Sequence, residues 1–505
     1  MLARVATFTI DGVDPRHVWV EIDIRSGLPA FTIVGLGDAS VRESRDRIRA
    51  AVQNSGFEFP QLRITANLAP AFLRKVGPGF DAAIALGVLA ASDQVPVDAL
   101  ADYAVFGELS LSGELRDSPG ALAVAEGARR AGLGRLIVPV ERAREAALVG
   151  GLQIAGVPNL SAAAAVLRGA PPPPLPTPCA PPRPHAQPDL ADVRGHAAPM
   201  LALEIAAAGG HNLLFEGAPG TGKTMLARRL PSILPPLTRA EALEVTRIHS
   251  VVGVHADGLV SARPFRAPHH TISPAGLVGG GAPPRPGEAT LAHLGVLFLD
   301  ELSEFQRSSL EALRQPLEDG RVTIVRGQRA LVFPTRFVLV AATNPCPCGF
   351  AGVGERCVCG EADLRRHRRR LSGPLLDRMD LLIGVERPRE QELRGDAEVS
   401  SASVGGRVAA ARERQQLRLA GTGATCNGEL DGRLVRRHVR LQGAAERALG
   451  QAYDRGSLSA RGRHRVLRVA RTIADLNQRE GVDIDDVLMA LALRQRHAAG
   501  TVLAA

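Results

Sequence analysis

The chain has 505 residues, 45% hydrophobic, 22% charged and only 3% aromatic, with a formal net charge of +9. That length exceeds one ordinary core and predicts two or three domains of globular composition. The longest apolar run, AAIALGVLAA (82–91), is about half of a bilayer span, and the excess positive charge fits either a polyanionic partner or a solvated basic surface. MLARVATFTIDG lacks a signal-peptide core. The chain therefore reads as soluble and cytoplasmic, with no membrane partner, in a compartment where clustered cysteines are metal ligands more often than disulfides.

In chain order, strand-like runs (HVWVEIDI, FTIVGL, QLRITANL, AVFGELSL, RLIVPV) first alternate with helical ones (VRESRDRIRAAVQNSG, FDAAIALGVLAASD, ALAVAEGARRAG). This predicts an α/β domain over 1–169. The proline-dense APPPPLPTPCAPPRPHAQP predicts a semi-rigid linker over 170–188. Strands and helices alternate again over 189–386, a second α/β domain. The segment 387–497 is mostly helical, with 18 arginines against 10 acidic residues between Arg407 and Arg496, and 498–505 is a tail. Only two lysines occur, Lys75 and Lys223, among 61 basic residues. Lys223 is thereby marked, since a compact ammonium suits a tight phosphate site where a forked guanidinium does not. Lys75 reads as a surface residue without a role.

HNLLFEGAPGTGKTMLARRL (211–230) predicts a buried strand, a glycine-rich turn and a helix. Gly217, Ala218, Pro219, Gly220, Thr221, Gly222, Lys223 and Thr224 fit the phosphate-binding G-x-x-x-x-G-K-[ST] loop. Its backbone amides curl around phosphate oxygens, Lys223 reaches the β- and γ-phosphates, and Thr224 offers a hydroxyl to Mg²⁺. RPFRAPHHT (263–271) places His269 and His270 side by side, a spacing that does not suit helical metal ligation, so the pair is expected to be positioning residues and not a metal site. GVLFLDEL (295–302) predicts a central strand ending in Asp300, a second Mg²⁺ ligand, and Glu301, which activates the attacking water. RFVLVAATNP (336–345) predicts another strand, ending in Asn344 beside the γ-phosphate.

Directly after it, NPCPCGFAGVGERCVCG sets Cys346, Cys348, Cys357 and Cys359 in a C-x-C-x₈-C-x-C pattern that suits tetrahedral Zn²⁺ in a structural, closed site. RRHRRR (365–370) reads as a solvated basic helix face. SGPLLDRMDLLIGV (372–385) places Arg378 on a short turn leading into a strand, where in an arginine-rich chain it reads by itself as a salt-bridged arginine.

Taken together, DLADVRGHAAPMLALEIAAAGGHNLL, RPFRAPHHTIS, PGEATLAHLGVLFLDEL, SGPLLDRMDL and LSARGRHRVLRVARTIADL resemble the YifB/ComM family of magnesium-chelatase-like AAA+ proteins over nearly the whole chain. The resemblance implies a multidomain α/β fold: a Lon-protease-like N-terminal domain, an AAA+ P-loop core with a parallel sheet, and a C-terminal helical lid. It implies ATP and Mg²⁺ as cofactors and makes Arg378 a finger supplied to a neighbouring subunit's ATP. It places a second sensing arginine at Arg461 and implies a homo-oligomeric ring, expected as a hexamer. In related ring helicases a hairpin like GRVTIVRGQRALVF (320–333) projects into the pore, so Arg326, Gln328 and Arg329 are expected DNA contacts, or else an exposed polar tip. KVGPG (75–79) and GELSLSGEL (107–115) resemble Lon-type protease segments. Gly79 stands at the nucleophilic serine's position, and Leu122 or a neighbour stands where the dyad lysine belongs, so peptidase chemistry is expected to be absent. The function implied is a ring-forming, ATP-dependent DNA motor, a branch-migration helicase or translocase in recombination or natural transformation. A magnesium-chelatase-like motor acting on a protein partner is the alternative.

Overall fold

A computed structural model of the chain describes residues 2–176, 188–254, 258–281, 284–326, 329–352, 356–370, 373–394, 399–456 and 458–494. Two compact units are formed, one from 1–183 with 238–261 and one from 184–237 with 262–505. Residues 177–187 of the proline-rich stretch and the tail lie outside the described residues.

The first unit is built on strands β1 (Leu2–Asp11), β2 (Asp14–Arg25), β3 (Ala30–Val34), β4 (Arg63–Ala69), β5 (Tyr103–Val105), β6 (Arg135–Pro139) and β7 (Gln153–Val157). They form a seven-stranded mixed sheet in the order β3-β4-β2-β1-β5-β6-β7. β1 and β2 close a tight hairpin at Asp11↔Asp14, where Gly12 supplies a φ of 71° that a side chain would resist. The helix Asp81–Ala91 is buried along its whole length, as its unbroken apolar sequence requires.

Gly79 and Leu122, the positions set beside a Ser-Lys dyad, are both tightly packed. A Cβ at Gly79 would lie 2.4 Å from Phe106 Cε2, and Leu122 is fully buried with its amide donating to Glu145 Oε1 at 3.2 Å. Lys75 is not the surface residue expected: it is 0% exposed, and its ammonium donates to the Pro70 carbonyl at 2.5 Å. Burying an ammonium requires such partners, and local sequence does not reveal them.

The segment 238–261, expected within the second α/β domain, packs with the first unit. Its helix Arg239–Val251 starts at a capping box on Thr238 and buries Val245, Thr246 and Ile248. Arg247 pairs with Glu126 at 3.1 Å and Asp14 at 3.6 Å, and Ser250 donates to the buried Glu145.

The second unit carries β8 (Leu213–Glu216), β9 (Phe265–Arg266), β10 (Val296–Leu299), β11 (Val338–Thr343) and β12 (Leu381–Gly384). They form a five-stranded sheet in the order β9-β10-β11-β8-β12, every pair parallel. β10 and β11 are buried at every position, as strands covered on both faces must be. The C-terminal helices share this core. Val466, Val469, Ala470 and Ile473 of helix Ala460–Leu476 cluster with Phe215, Phe298, Val340 and Ile383 of the sheet.

A buried polar set joins the same helix to the sheet. Arg465 donates to Asp380 Oδ1 at 2.6 Å, Asn212 N donates to Asp380 Oδ2 at 2.9 Å, and His211 Nε2 lies 2.8 Å from Thr472 Oγ1. Burial pulls the His211 pKa down to about 4, against the opposing pull of Asp380. Its folded pKa thus lies below the unfolded value of roughly 6.5, so the unfolded chain binds more protons inside that window. Stability is expected to fall as pH drops from 6.5 toward 4, by up to about 1.4 kcal/mol per pH unit from this one group. Thermal unfolding midpoints measured across that range should fall with acid, with a flatter slope for His211→Gln; an unchanged slope in the variant would contradict this origin.

Candidate nucleotide site

The parallel sheet delivers three strand ends to one place. β8 runs into the glycine loop, where Gly217 N donates to Thr343 O at 3.2 Å, linking the loop to the end of β11. Gly220 and Gly222 adopt φ of 78° and 89°, left-handed values that let the loop curl before the turn Lys223–Ala227 begins. Gly217 is pressed under β12's exit, since a Cβ there would lie 2.3 Å from Val385 O; at Gly220 a Cβ would meet nothing within 4 Å.

Lys223 is 8% exposed. Its ammonium donates to Gly217 O at 2.6 Å, Ala218 O at 2.9 Å and Asn344 Oδ1 at 3.2 Å. Burial lowers its pKa, against the opposing fields of Asp300 and Glu301. Three oxygen acceptors around a half-desolvated ammonium form a set that phosphate oxygens can replace. Thr224 Oγ1 donates to Asp300 Oδ2 at 2.6 Å, a pair of hard oxygen donors of the kind Mg²⁺ takes. Thr221 turns inward and donates to Ala218 O at 2.9 Å. The residues present therefore fit a nucleotide triphosphate with Mg²⁺.

Glu301 follows β10 with a φ of 51°, a left-handed conformation that a non-glycine residue holds only under constraint from its surroundings. Its Oε2 lies 3.6 Å from His270 Nδ1, and the His270 ring sits 4.0 Å from that of His269. The contact sets the histidine pair beside Glu301.

Arg378 stands in a different setting. It is 7% exposed and donates to Glu318 Oε1 of the same chain. Burial lowers its pKa; Glu318 opposes this, and Arg461 and Arg314 add to it. Arg461 is exposed at the first turn of helix Ala460–Leu476, capped by Ser459. The two expected arginines thus share one electrostatic neighbourhood. The charges acting on Lys223 are instead Asp300 and Glu301.

Cys346, Cys348, Cys357 and Cys359 bring their sulfurs within 4.8 Å of one another. The basic run 365–370 lies on helix Glu361–Arg370, with Arg365, Arg366, Arg369 and Arg370 exposed and His367 turned inward. Of the expected DNA contacts, Gln328 lies outside the described residues. Arg326 and Arg329 face each other as the last backbone pair of a two-stranded hairpin, Arg321–Arg326 with Arg329–Pro334.

Family models match three stretches: "Magnesium chelatase, subunit ChlI" over 189–393, "Subunit ChlI of Mg-chelatase" over 20–142, and "Magnesium chelatase, subunit ChlI C-terminal" over 398–494. An uncharacterised protein of Mycobacterium tuberculosis is 45% identical over 98% of this chain and 99% of its own length. YifB of Escherichia coli is 43% identical over 94% of each chain. Competence protein ComM of Haemophilus influenzae is 41% identical over 98% of this chain and 97% of its own length. With near-complete coverage by such relatives and a P-loop site at the ends of a parallel sheet, the chain belongs to the YifB/ComM family of magnesium-chelatase-like AAA+ proteins.

Proposed function

We propose that the chain is a cytoplasmic, ring-forming ATPase that moves on DNA, a branch-migration helicase or translocase serving recombination or natural transformation. The observation that carries the ATPase reading is the convergence of Lys223, Thr224, Asp300 and Asn344, joined by bonds of 2.6 to 3.2 Å. Mg²⁺, when bound with ATP, neutralises the phosphate charge. Lys223 then orients the β- and γ-phosphates, Thr224 and Asp300 hold the ion, Asn344 marks the γ-phosphate, and Glu301 takes the proton of the attacking water. Arg378 and Arg461 complete the site of a neighbouring subunit, which makes the ring, a hexamer in this reading, the working unit. The four cysteines hold Zn²⁺ as a structural ion.

The DNA reading is supported by the arginine-rich C-terminal segment, by the paired Arg326 and Arg329 at a hairpin tip, and by the name of the ComM relative. ATP hydrolysis measured with and without branched DNA tests it. Stimulation is expected, and it should weaken steeply with salt because phosphate contacts release counterions. Arg326→Ala with Arg329→Ala should lower the stimulation and flatten the salt dependence by roughly one to two contacts. The match to magnesium chelatase models favours a second reading, a motor on a protein partner; hydrolysis indifferent to DNA would select it.

A further inference from the structure

We propose that Zn²⁺ held by Cys346, Cys348, Cys357 and Cys359 is a positioning element of the nucleotide site: it clips a loop that starts beside Asn344 and returns to the Asn344 carbonyl through His367. The proposal rests on the reading of Lys223 and Asn344 as phosphate-facing residues and adds to it a metal-dependent γ-phosphate sensor.

The sulfur geometry comes first. Cys346 and Cys348 Sγ are 3.3 Å apart, Cys346 and Cys357 3.9 Å, and Cys348 and Cys357 3.7 Å. Four sulfurs placed tetrahedrally about 2.3 Å from one ion stand roughly 3.8 Å from each other. A disulfide would bring two of them to about 2.05 Å, so these separations are not those of a disulfide and fall near the spacing a shared ion requires. The Ala351 amide donates to Cys346 Sγ at 3.2 Å, the outer contact that orients a metal-bound thiolate. Four protein ligands leave no open position, so the ion shapes the chain and does no chemistry.

One short covalent link and two contacts carry that shape into the nucleotide site. Cys346 lies two residues after Asn344, whose Oδ1 accepts from Lys223 Nζ at 3.2 Å. Gly349, directly after Cys348 and with φ of 86°, lies against the glycine loop; a Cβ there would stand 2.6 Å from Pro219 Cδ. After Cys359 the helix Glu361–Arg370 returns His367, 4% exposed, whose Nε2–H donates to the Asn344 carbonyl at 2.9 Å. The chain thus leaves Asn344, is clipped by the metal, and comes back to Asn344. An open clip frees both approaches, and a shift of about 1 Å at a phosphate-facing group is enough to cost 10²-fold in turnover. His367 is a positioning residue in this scheme.

The test uses the full-length chain. Zinc content by elemental analysis is expected at one ion per chain, and near zero in Cys357→Ser/Cys359→Ser. The positioning part is read from the ratio of affinities for ATPγS and ADP, which needs no hydrolysis. That ratio should fall roughly tenfold in the double-serine variant, the worth of one hydrogen bond to a charged acceptor. His367→Ala should keep its zinc and show the same loss, and His367→Gln, whose amide can donate to the same carbonyl, should recover most of it. Wild-type chain grown with zinc and isolated without it would overturn the metal site. Zinc loss with an unchanged ratio, or an unchanged ratio in His367→Ala, would overturn the positioning role. A wild type that binds ATPγS and ADP but does not hydrolyse ATP refutes the motor reading and leaves these measurements decisive for this one.

Discussion

Glu301→Gln is expected to lower the ATP turnover number by a factor on the order of 10² to 10⁴, the range for removing a positioned general base. Nucleotide affinity should stay within a few-fold, because Lys223, Thr224 and Asp300 are untouched. The distinction comes from the end of β10. Asp300 is engaged by Thr224 at 2.6 Å, whereas Glu301 is turned out of the strand direction by its left-handed φ of 51°. Its side chain is 59% exposed and faces His270, not a buried partner, so a carboxamide of the same shape costs little packing. What the substitution removes is the proton acceptor. Steady-state hydrolysis together with fluorescent-nucleotide titration separates the two effects. Turnover within about threefold of wild type would remove Glu301 from the base role.

Arg378→Ala is expected to cost more, roughly 10³ to 10⁵ in turnover, the range for a finger arginine in P-loop enzymes. Within its own chain the residue is placed for stability as much as for chemistry. Asn212 Nδ2 donates to its carbonyl at 3.2 Å, Asp380 two residues on is held by Arg465 at 2.6 Å, and its guanidinium pairs with Glu318. Lys223 and Arg378 answer to different charges, Asp300 and Glu301 in one case, Glu318, Arg461 and Arg314 in the other. In the proposed ring this guanidinium would serve the phosphate of a neighbouring subunit. Subunits carrying Arg378→Ala mixed with subunits carrying Glu301→Gln should therefore regain activity, since interfaces form in which an intact Glu301 meets an intact Arg378. Mixtures with no more activity than the sum of the two variants would place the finger's target within its own chain.

The convergence of the candidate nucleotide-site residues was legible because its information is local. The glycine loop, the carboxylates closing β10 and the asparagine after β11 each follow a short apolar run, and all three strands lie parallel with their ends together. The cysteine cluster was legible for the same reason, as its spacing falls within one short stretch. Contacts between distant segments were not. Nothing near Lys75 announces that its ammonium is buried, nothing in the basic run announces that His367 turns inward to Asn344, and the His270–Glu301 pair joins residues on separate strands' exits. The helix Arg239–Val251 follows the glycine-loop segment in sequence yet packs with the first unit, because its buried face and Arg247 find partners there. The C-terminal helices, read as a separate domain, share the sheet's core because their apolar stripe is long enough to cover it.

The central claim is that ATP turnover by this chain is coupled to DNA. Its most direct measurement is the hydrolysis rate of the full-length chain at saturating ATP and Mg²⁺, titrated with a branched DNA at low salt and set beside the Glu301→Gln variant. The rate is expected to rise saturably with DNA in the wild type and to stay near zero throughout in the variant. A wild-type rate that is flat across the titration, or that rises only when a protein partner is added, would contradict it.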